Sequence, residues 1–180
     1  KVGYHVPEYY ALLFFILAGI CIAATFTNLL MLFLAIEIIS IPQYILAGSD
    51  KENLRSSEAS LKYFLLGAFS TGFLLMGITL LYGATGTFEI AEMGLGAAPV
   101  SPLAIIGILL LLISLSFKVS AAPFHFWAPD VYDGSPTVFT SFMATIVKAG
   151  SFMAFINLFR NAFAADAVNE YWILVLAIVT

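Results

Sequence analysis

The chain has 180 residues, of which 62% are hydrophobic and 10% are charged, and its mean hydropathy is +1.02. Soluble globular domains carry about 25% charged residues, so this composition excludes an ordinary soluble protein and predicts an integral membrane protein. The formal net charge of −4 says little about partners, because the orientation of a membrane chain depends on Lys and Arg in its short loops.

Five apolar runs are long enough to span a bilayer as helices, which takes about 20 mostly apolar residues. They cover approximately 9–26, 29–47, 60–82, 102–121 and 137–159, and the fourth continues after a break to about 133. These runs predict an all-α transmembrane helix bundle that forms a single domain over 1–180. A further span begins at Tyr171 and is still apolar at Thr180, and the chain opens with Lys1, so we expect a fragment of a longer protein.

The basic residues of the loops are unequally distributed between the two sides of this bundle. With alternating spans, Lys1, Lys51 and Arg55 lie on one side, whereas the loops that join the first span to the second and the third to the fourth contain no Lys or Arg. By the positive-inside rule, the side that carries these three residues is cytoplasmic. Asp130 and Asp133 are expected at the same boundary.

Three charged residues lie in the middle of apolar runs: Glu37, Lys118 and Lys148. A charge at bilayer depth costs about 2.5–3.5 kcal/mol on insertion scales, so an ion or proton path is the leading interpretation. Helical spacing places the hydroxyls of Ser40 and Tyr44 on the face that carries Glu37. The alternative for Glu37 is a structural ion pair that never changes its protonation state.

The third span contains a lysine near its start. Lys62 follows Glu58 by four residues, so a Glu–Lys pair on the helix surface is as compatible with the pattern as a buried functional role. Ala68 and Gly72, also four residues apart, predict a close contact with another helix.

The segment that follows Lys118 predicts a discontinuous helix near 117–133. Pro123 and Pro129 each lack a backbone N–H and clash with the carbonyl four residues earlier, so the helix that carries Lys118 must break just after it. Non-helical backbone at membrane depth is tolerated only where it is buried in protein or lines a wet cavity. Lys118 could alternatively just end its helix, where the helix dipole favours a cation. His125 could pass protons between the break and water, or could be an ordinary packed ring.

Lys148 lies deep in the last complete span. Thr137, Ser141 and Thr145 precede it at helical spacing and predict a polar stripe that could hold water and leads to its ammonium. The alternative is that Lys148 snorkels to an interface, but it lies about eleven residues from either end of its run, which is further than a lysine stem reaches.

Two aromatic residues, Trp127 and Tyr132, are expected in an interfacial aromatic belt.

Three segments of the chain resemble a known family. EIISIPQYILAG, SSEASLKYFLLGAFSTGFLLMGITLLYGATG and KVSAAPFHFWAPDVYDGSPTVFTSFMATIVKAG are similar to the antiporter-like membrane subunits of respiratory complex I. The stretches EASLKYFLLGA and PDVYDGSPT resemble the branch that contains subunit N of the bacterial NADH-quinone oxidoreductase. The resemblance covers Tyr9 to Phe159 and implies two inverted repeats of five helices, each with a broken helix, of which this chain would supply the first.

The resemblance also implies roles for individual residues. Glu37 matches the acid on the family's fifth helix, and Lys62, Lys118 and Lys148 match the lysines on the sixth, the broken seventh and the eighth helices. The family's remaining charged residue, on the twelfth helix, would lie beyond Thr180.

We therefore expect a proton-translocating, non-redox subunit of NADH:quinone oxidoreductase. In the preferred mechanism Lys118 is loaded from the cytoplasm through His125 and the helix break, and its proton then passes by water to Lys148. The resemblance implies no cofactor or metal in this chain, with NADH, FMN, iron–sulfur clusters and quinone in partner subunits. The expected partners are other membrane-arm subunits, lipid, protons and internal water, with no nucleic acid. The expected location is the bacterial inner membrane or, alternatively, an organellar inner membrane.

Two other classes of protein share part of this pattern. A subunit of an Mrp-type cation/proton antiporter resembles the same superfamily. A haem- or quinone-binding redox protein would need paired axial ligands, and the only histidines are His5 and His125. Cys21, the single cysteine, has no disulfide partner in the chain and no metal-site spacing.

Overall fold

A computed structural model of the chain describes residues 6–95 and 101–162, with side chains described as far as Phe159. The described residues form helices joined by loops, and the only β-type contact among them is an isolated bridge between Asn28 and Glu89. The helices are α1 (Val6–Thr25), α2 (Leu29–Ala47), α3 (Leu54–Thr85), α4 (Pro102–Val119), α5 (Ala128–Gly134), α6 (Thr137–Phe142) and α7 (Lys148–Ala162), with a 3₁₀ turn at Ile90–Glu92 and a π-helical turn at Met143–Val147.

Five helices in the described part of the chain are long and apolar enough to cross a membrane. They are Val6–Thr25, Leu29–Ala47, Leu54–Thr85, Pro102–Val119 and the continuous Thr137–Phe159. Each coincides with one of the predicted apolar runs, which confirms the all-α transmembrane bundle. The predicted span that begins at Tyr171 lies outside the described residues.

The third helix is longer than the apolar run that predicted it. It has 32 residues and begins at Leu54, where the Asn53 side chain accepts a hydrogen bond from the backbone N–H of Arg55. Hydropathy marks only the part of a helix that contacts lipid or core, whereas the cap decides where the helix starts. The first turns of α3 therefore extend the helix beyond its apolar stretch, and Gly86 at φ 76° ends it.

The close contact between α3 and α4 depends on glycines other than the predicted pair. A Cβ added at Gly77 would lie 2.8 Å from the carbonyl oxygen of Gly107, and one added at Gly107 would lie 3.0 Å from the carbonyl oxygen of Gly77. The two backbones touch because neither position has a side chain. Ala68 and Gly72 are exposed, and Gly72 has no neighbour within 4 Å among the described residues. Within the described residues the predicted contact at that pair is not made, since the small residues that face α4 lie further along the helix.

The fourth span is interrupted where the sequence predicts it. Ser120 adopts the left-handed conformation at φ 57°, and the backbone N–H of Ala121 donates to the carbonyl of Ser116 at 2.9 Å. Together with the bond from the Ser120 N–H to the Phe117 carbonyl at 3.1 Å, this is the Schellman ending of a helix. The helix resumes at α5, so the predicted break near 117–133 is confirmed.

The two prolines of the break have different roles. Pro123 lies in the loop between the half-helices, where its missing N–H prevents the helix from continuing beyond the ending at Ser120. Pro129 lies in the first turn of α5, where proline is favoured because no intrahelical partner for its N–H exists there. Pro129 therefore starts the second half-helix, and the sequence prediction that it disrupts a helix is wrong.

Candidate functional site

Lys118 occupies the last turn of the first half-helix and points into the protein. Its side chain is buried, with 8% of the residue exposed. The ammonium Nζ donates to the Ser40 hydroxyl at 2.7 Å and to the Tyr44 hydroxyl at 3.4 Å, both on α2. The Ser40 hydroxyl in turn donates to the backbone carbonyl of Ile36. The predicted orientation of the Lys118 ammonium towards the protein interior is confirmed.

Glu37 lies one turn before Ser40 on the same helix and is half-buried. Within the described part of the chain no side chain forms a hydrogen bond or ion pair with its carboxylate. The hydroxyls that share its face are instead occupied by Lys118. A direct basic partner for Glu37 therefore stays a prediction.

Lys148 meets the fourth span at the point where that span ends. Its ammonium donates to the Ser120 hydroxyl and to the backbone carbonyl of Lys118, the latter at 3.5 Å. It also lies over the ring of Trp127, 5.0 Å from the ring centroid. The C-terminal end of a helix carries partial negative charge on its unpaired carbonyls, so the broken end of α4 attracts this cation. The break thus brings Lys118 and Lys148 to the same place in the bundle.

Trp127 is the aromatic centre of the break and was missed as a site residue. It is only 3% exposed; its indole N–H donates to the carbonyl of Phe117 at 3.0 Å, and its ring stacks on Tyr63 at 4.6 Å. The prediction that it belongs to an interfacial belt is wrong, because its indole is buried at the break, where the Phe117 carbonyl accepts from the indole N–H as well as from the Ser120 N–H. A tryptophan a few residues after a predicted helix break is the signal that could have indicated this role.

The predicted polar stripe does not lead to Lys148. Thr137, Ser141 and Thr145 are all exposed on the described part of the molecule, and the hydroxyl of Thr145 donates to the carbonyl of Ser141 at 2.7 Å. The cause is the π-helical turn at Met143–Val147, since a π turn holds an extra residue and changes the spacing of the faces that follow it. Lys148 consequently faces the helix break.

Lys62 lies in a network of charged residues at the start of α3. Its ammonium is 2.7 Å from both the Glu58 and the Asp130 carboxylates, and Arg55 lies 3.7 Å from Asp133. All of these side chains are substantially exposed. The predicted Glu–Lys pair is observed, and the network joins α3 to the second half-helix at one boundary of the bundle. A role of Lys62 in proton transfer stays a prediction.

His125 is exposed in the loop between the half-helices. Within residues 6–95 and 101–162 its imidazole has no hydrogen bond or ion pair, so the structure does not connect it directly to Lys118. The same residues contain no group of three His, Cys, Asp or Glu side chains arranged to hold a metal ion.

Comparison with known proteins identifies the family. Residues 27–180 match the family described as "NADH:quinone oxidoreductase/Mrp antiporter, TM". The chain belongs to this family. NADH-quinone oxidoreductase subunit N of Cytophaga hutchinsonii is 53% identical over 164 residues, which are 91% of this chain and 35% of that protein. The predicted resemblance to the subunit N branch is confirmed.

Comparison with solved structures also finds similar chains in respiratory complex I and in an Mrp complex. The chain matches a chain of respiratory complex I from Thermus thermophilus with bound aureothin at a TM-score of 0.74 and 44% identity, over 83% of this chain and 33% of that one. It also matches a chain of the Mrp complex from Dietzia sp. DQ12-45-1b at a TM-score of 0.76 and 25% identity, over 85% and 29%. The chain spans about a third of the length of the curated relatives that it matches. With bacterial relatives and five membrane-length helices, it is a multi-pass protein of the bacterial inner membrane.

Proposed function

We propose that the chain is the first inverted repeat of a proton-translocating, membrane-arm subunit of bacterial NADH:quinone oxidoreductase. In this proposal NADH oxidation and quinone reduction occur in partner subunits, which hold FMN, iron–sulfur clusters and quinone. This chain's residues hold and move protons within the membrane.

The observation that carries the proposal is the kind of partner each lysine has. Lys118 and Lys148 have hydroxyl partners, from Ser40, Tyr44 and Ser120, and in the described part of the chain neither lies within salt-bridge distance of a carboxylate. A hydroxyl can accept a hydrogen bond from an ammonium and donate one to a neutral amine. The hydroxyls of Tyr44 and Ser120 can serve both protonation states of a lysine in this way, whereas Ser40 would first have to release its bond to the Ile36 carbonyl.

Lys62 provides the contrast within the same chain. Its two carboxylate partners, Glu58 and Asp130, accept hydrogen bonds but cannot donate them when ionised. They therefore favour one protonation state of the lysine. The proposal assigns proton transfer to Lys118 and Lys148, and it keeps Lys62 as a charged residue at the boundary that holds the second half-helix.

Electrostatic coupling can drive the transfer. Two charges about 8 Å apart at an effective dielectric constant of about 20 interact by about 2 kcal/mol. At such a separation, a change in the charge of Glu37, or the protonation of Lys148 at the end of the same helix, changes the protonation equilibrium constant of Lys118 by more than tenfold. In this proposal the charge of Glu37 adjusts the protonation equilibrium of Lys118, Lys118 holds the proton, and Lys148 receives it. Entry through His125 remains the proposed cytoplasmic route, supported by its exposed position within the helix break.

The test uses the full-length subunit in the assembled complex, reconstituted into vesicles. Lys148→Met supplies an apolar stem of similar length and removes the proton carrier, and Lys148→Arg keeps a charge that cannot be released at accessible pH. NADH-driven proton uptake should fall severalfold or more in both variants, whereas electron transfer to an artificial acceptor that bypasses the membrane arm should be unchanged. Lys51→Met, in the exposed α2–α3 loop, is the matched control. Wild-type uptake in both Lys148 variants would refute the proposal.

A second candidate is a subunit of an Mrp-type cation/proton antiporter, favoured by the structural match to the Mrp complex. Its 25% identity is well below the 53% and 44% of the complex I relatives, so it is the less supported candidate. Purification of the full-length protein with its partners separates the two candidates, because flavin and iron–sulfur absorbance should accompany only a complex I subunit.

A further inference from the structure

Ser120 has a backbone conformation that is unfavourable for serine. At φ 57° and ψ 40° it lies in the left-handed region, and within the described residues it is the only residue other than glycine with a positive φ. Glycine is the usual residue at this position of a helix ending, because it has no Cβ to clash. The serine side chain must therefore contribute something that glycine would not.

The helix ending itself does not need the serine hydroxyl. The bonds that close the Schellman ending run from the backbone N–H groups of Ser120 and Ala121 to the carbonyls of Phe117 and Ser116. Any residue that tolerates the left-handed conformation can make them. In the described part of the chain the Ser120 hydroxyl has one hydrogen-bond partner, the ammonium of Lys148.

The three groups that contact the Lys148 ammonium differ in what they can offer. The backbone carbonyl of Lys118 only accepts hydrogen bonds, and the face of the Trp127 ring attracts a cation through its negative quadrupole. The Ser120 hydroxyl alone among them can either accept or donate. It is therefore the only one of the three contacts that can donate a hydrogen bond to the lone pair that Lys148 gains as a neutral amine.

We propose that Ser120 is a positioning residue whose hydroxyl holds Nζ of Lys148 at the broken end of α4 in both protonation states. The carbonyl and the ring face favour the charged form, and the hydroxyl donates to the lone pair of the neutral amine and so holds it in place for reloading. This inference rests on the proposed function of Lys148 as a proton carrier.

Substitutions at Ser120 can separate the hydroxyl from the backbone. Ser120→Gly keeps the left-handed conformation without strain and removes the hydroxyl. Ser120→Asn also tolerates this conformation, and its amide supplies both an acceptor and a donor. Both variants are made in the full-length subunit of the assembled complex, and NADH-driven proton uptake is divided by the rate of electron transfer to an artificial acceptor.

Ser120→Gly should assemble and transfer electrons to the artificial acceptor normally, with proton uptake reduced severalfold, and Ser120→Asn should recover most of the loss. A purely structural role would predict the opposite order, because glycine suits the backbone best. Wild-type uptake in Ser120→Gly, or uptake in Ser120→Asn no better than in Ser120→Gly, would overturn the inference.

The double variant Ser120→Gly/Lys148→Met distinguishes this inference from the proposed function. If Ser120 acts through Lys148, the double variant should have the same uptake as Lys148→Met alone, and a further loss would contradict the positioning role. Loss of uptake in Lys148→Met together with normal uptake in Ser120→Gly would overturn only the role of Ser120. Normal uptake in Lys148→Met would overturn the proposed function itself.

Discussion

Lys118→Met should abolish proton transfer while leaving the bundle close to its original stability. The substitution removes a buried charge whose placement at bilayer depth costs about 2.5–3.5 kcal/mol. It also removes the hydrogen bond to Ser40 at 2.7 Å, and a hydrogen bond to a charged group contributes about 1.5–3 kcal/mol. The second contact, to Tyr44 at 3.4 Å, is long and adds less. These terms cancel to within about 2 kcal/mol, since methionine fills nearly the same space.

The truncation Lys118→Ala is the matched control for packing. It removes the same charge and the same hydrogen bonds, but it also leaves a cavity, and large-to-small changes in a core cost about 2–5 kcal/mol. The assay is the melting temperature and yield of the assembled complex, beside NADH-driven proton uptake in vesicles. The methionine variant should assemble and melt like the wild type, the alanine variant should melt lower, and both should lose uptake. A methionine variant that melts as low as the alanine variant, or that retains uptake, would refute this reasoning.

Three further predictions concern the residues around this pair. Glu37→Gln should slow quinone-coupled NADH oxidation without loss of assembly, because it removes the charge that, in the proposed function, adjusts the protonation equilibrium of Lys118; an unchanged rate would reduce Glu37 to a structural residue. Gly107→Val should lower the melting temperature of the complex by overpacking against Gly77, an effect of about 1–3 kcal/mol. Gly72→Val should be close to neutral, because none of the described residues lies within 4 Å of a Cβ at that position. Lys62→Met breaks exposed ion pairs, which contribute little to stability because solvent screens them, so its melting temperature should stay close to that of the wild type, and a large drop would show that the network is structural.

The sequence predicts the bundle and the position of its break because both depend on strong local signals. Apolar runs long enough to span a membrane have few alternatives to a helix. Pro123 lacks a backbone N–H in any surroundings, so it interrupts a helix whatever packs against it. The burial of Lys118 follows from the same signals, since a lysine beside a break at membrane depth must face protein. These features can be predicted without knowing which helices contact each other.

The contacts of the site were less predictable because they depend on packing between distant segments. Helical spacing predicts that Ser40 and Tyr44 lie beside Glu37, but only the three-dimensional structure shows that the Lys118 side chain reaches across from α4 to bind them. The π-helical turn before Lys148 has no clear sequence signal, and it moves this lysine from the predicted stripe to the break. The left-handed conformation of Ser120 has no sequence signal either, because serine rarely adopts it.

The most direct test of the proton-carrier assignment is the rate of NADH-driven proton uptake by vesicles that contain the complex with Lys148→Met, divided by the rate of electron transfer to the artificial acceptor. The account predicts that this ratio falls severalfold or more relative to both the wild type and the exposed control Lys51→Met. A ratio equal to that of the control would contradict the central claim that Lys148 carries protons.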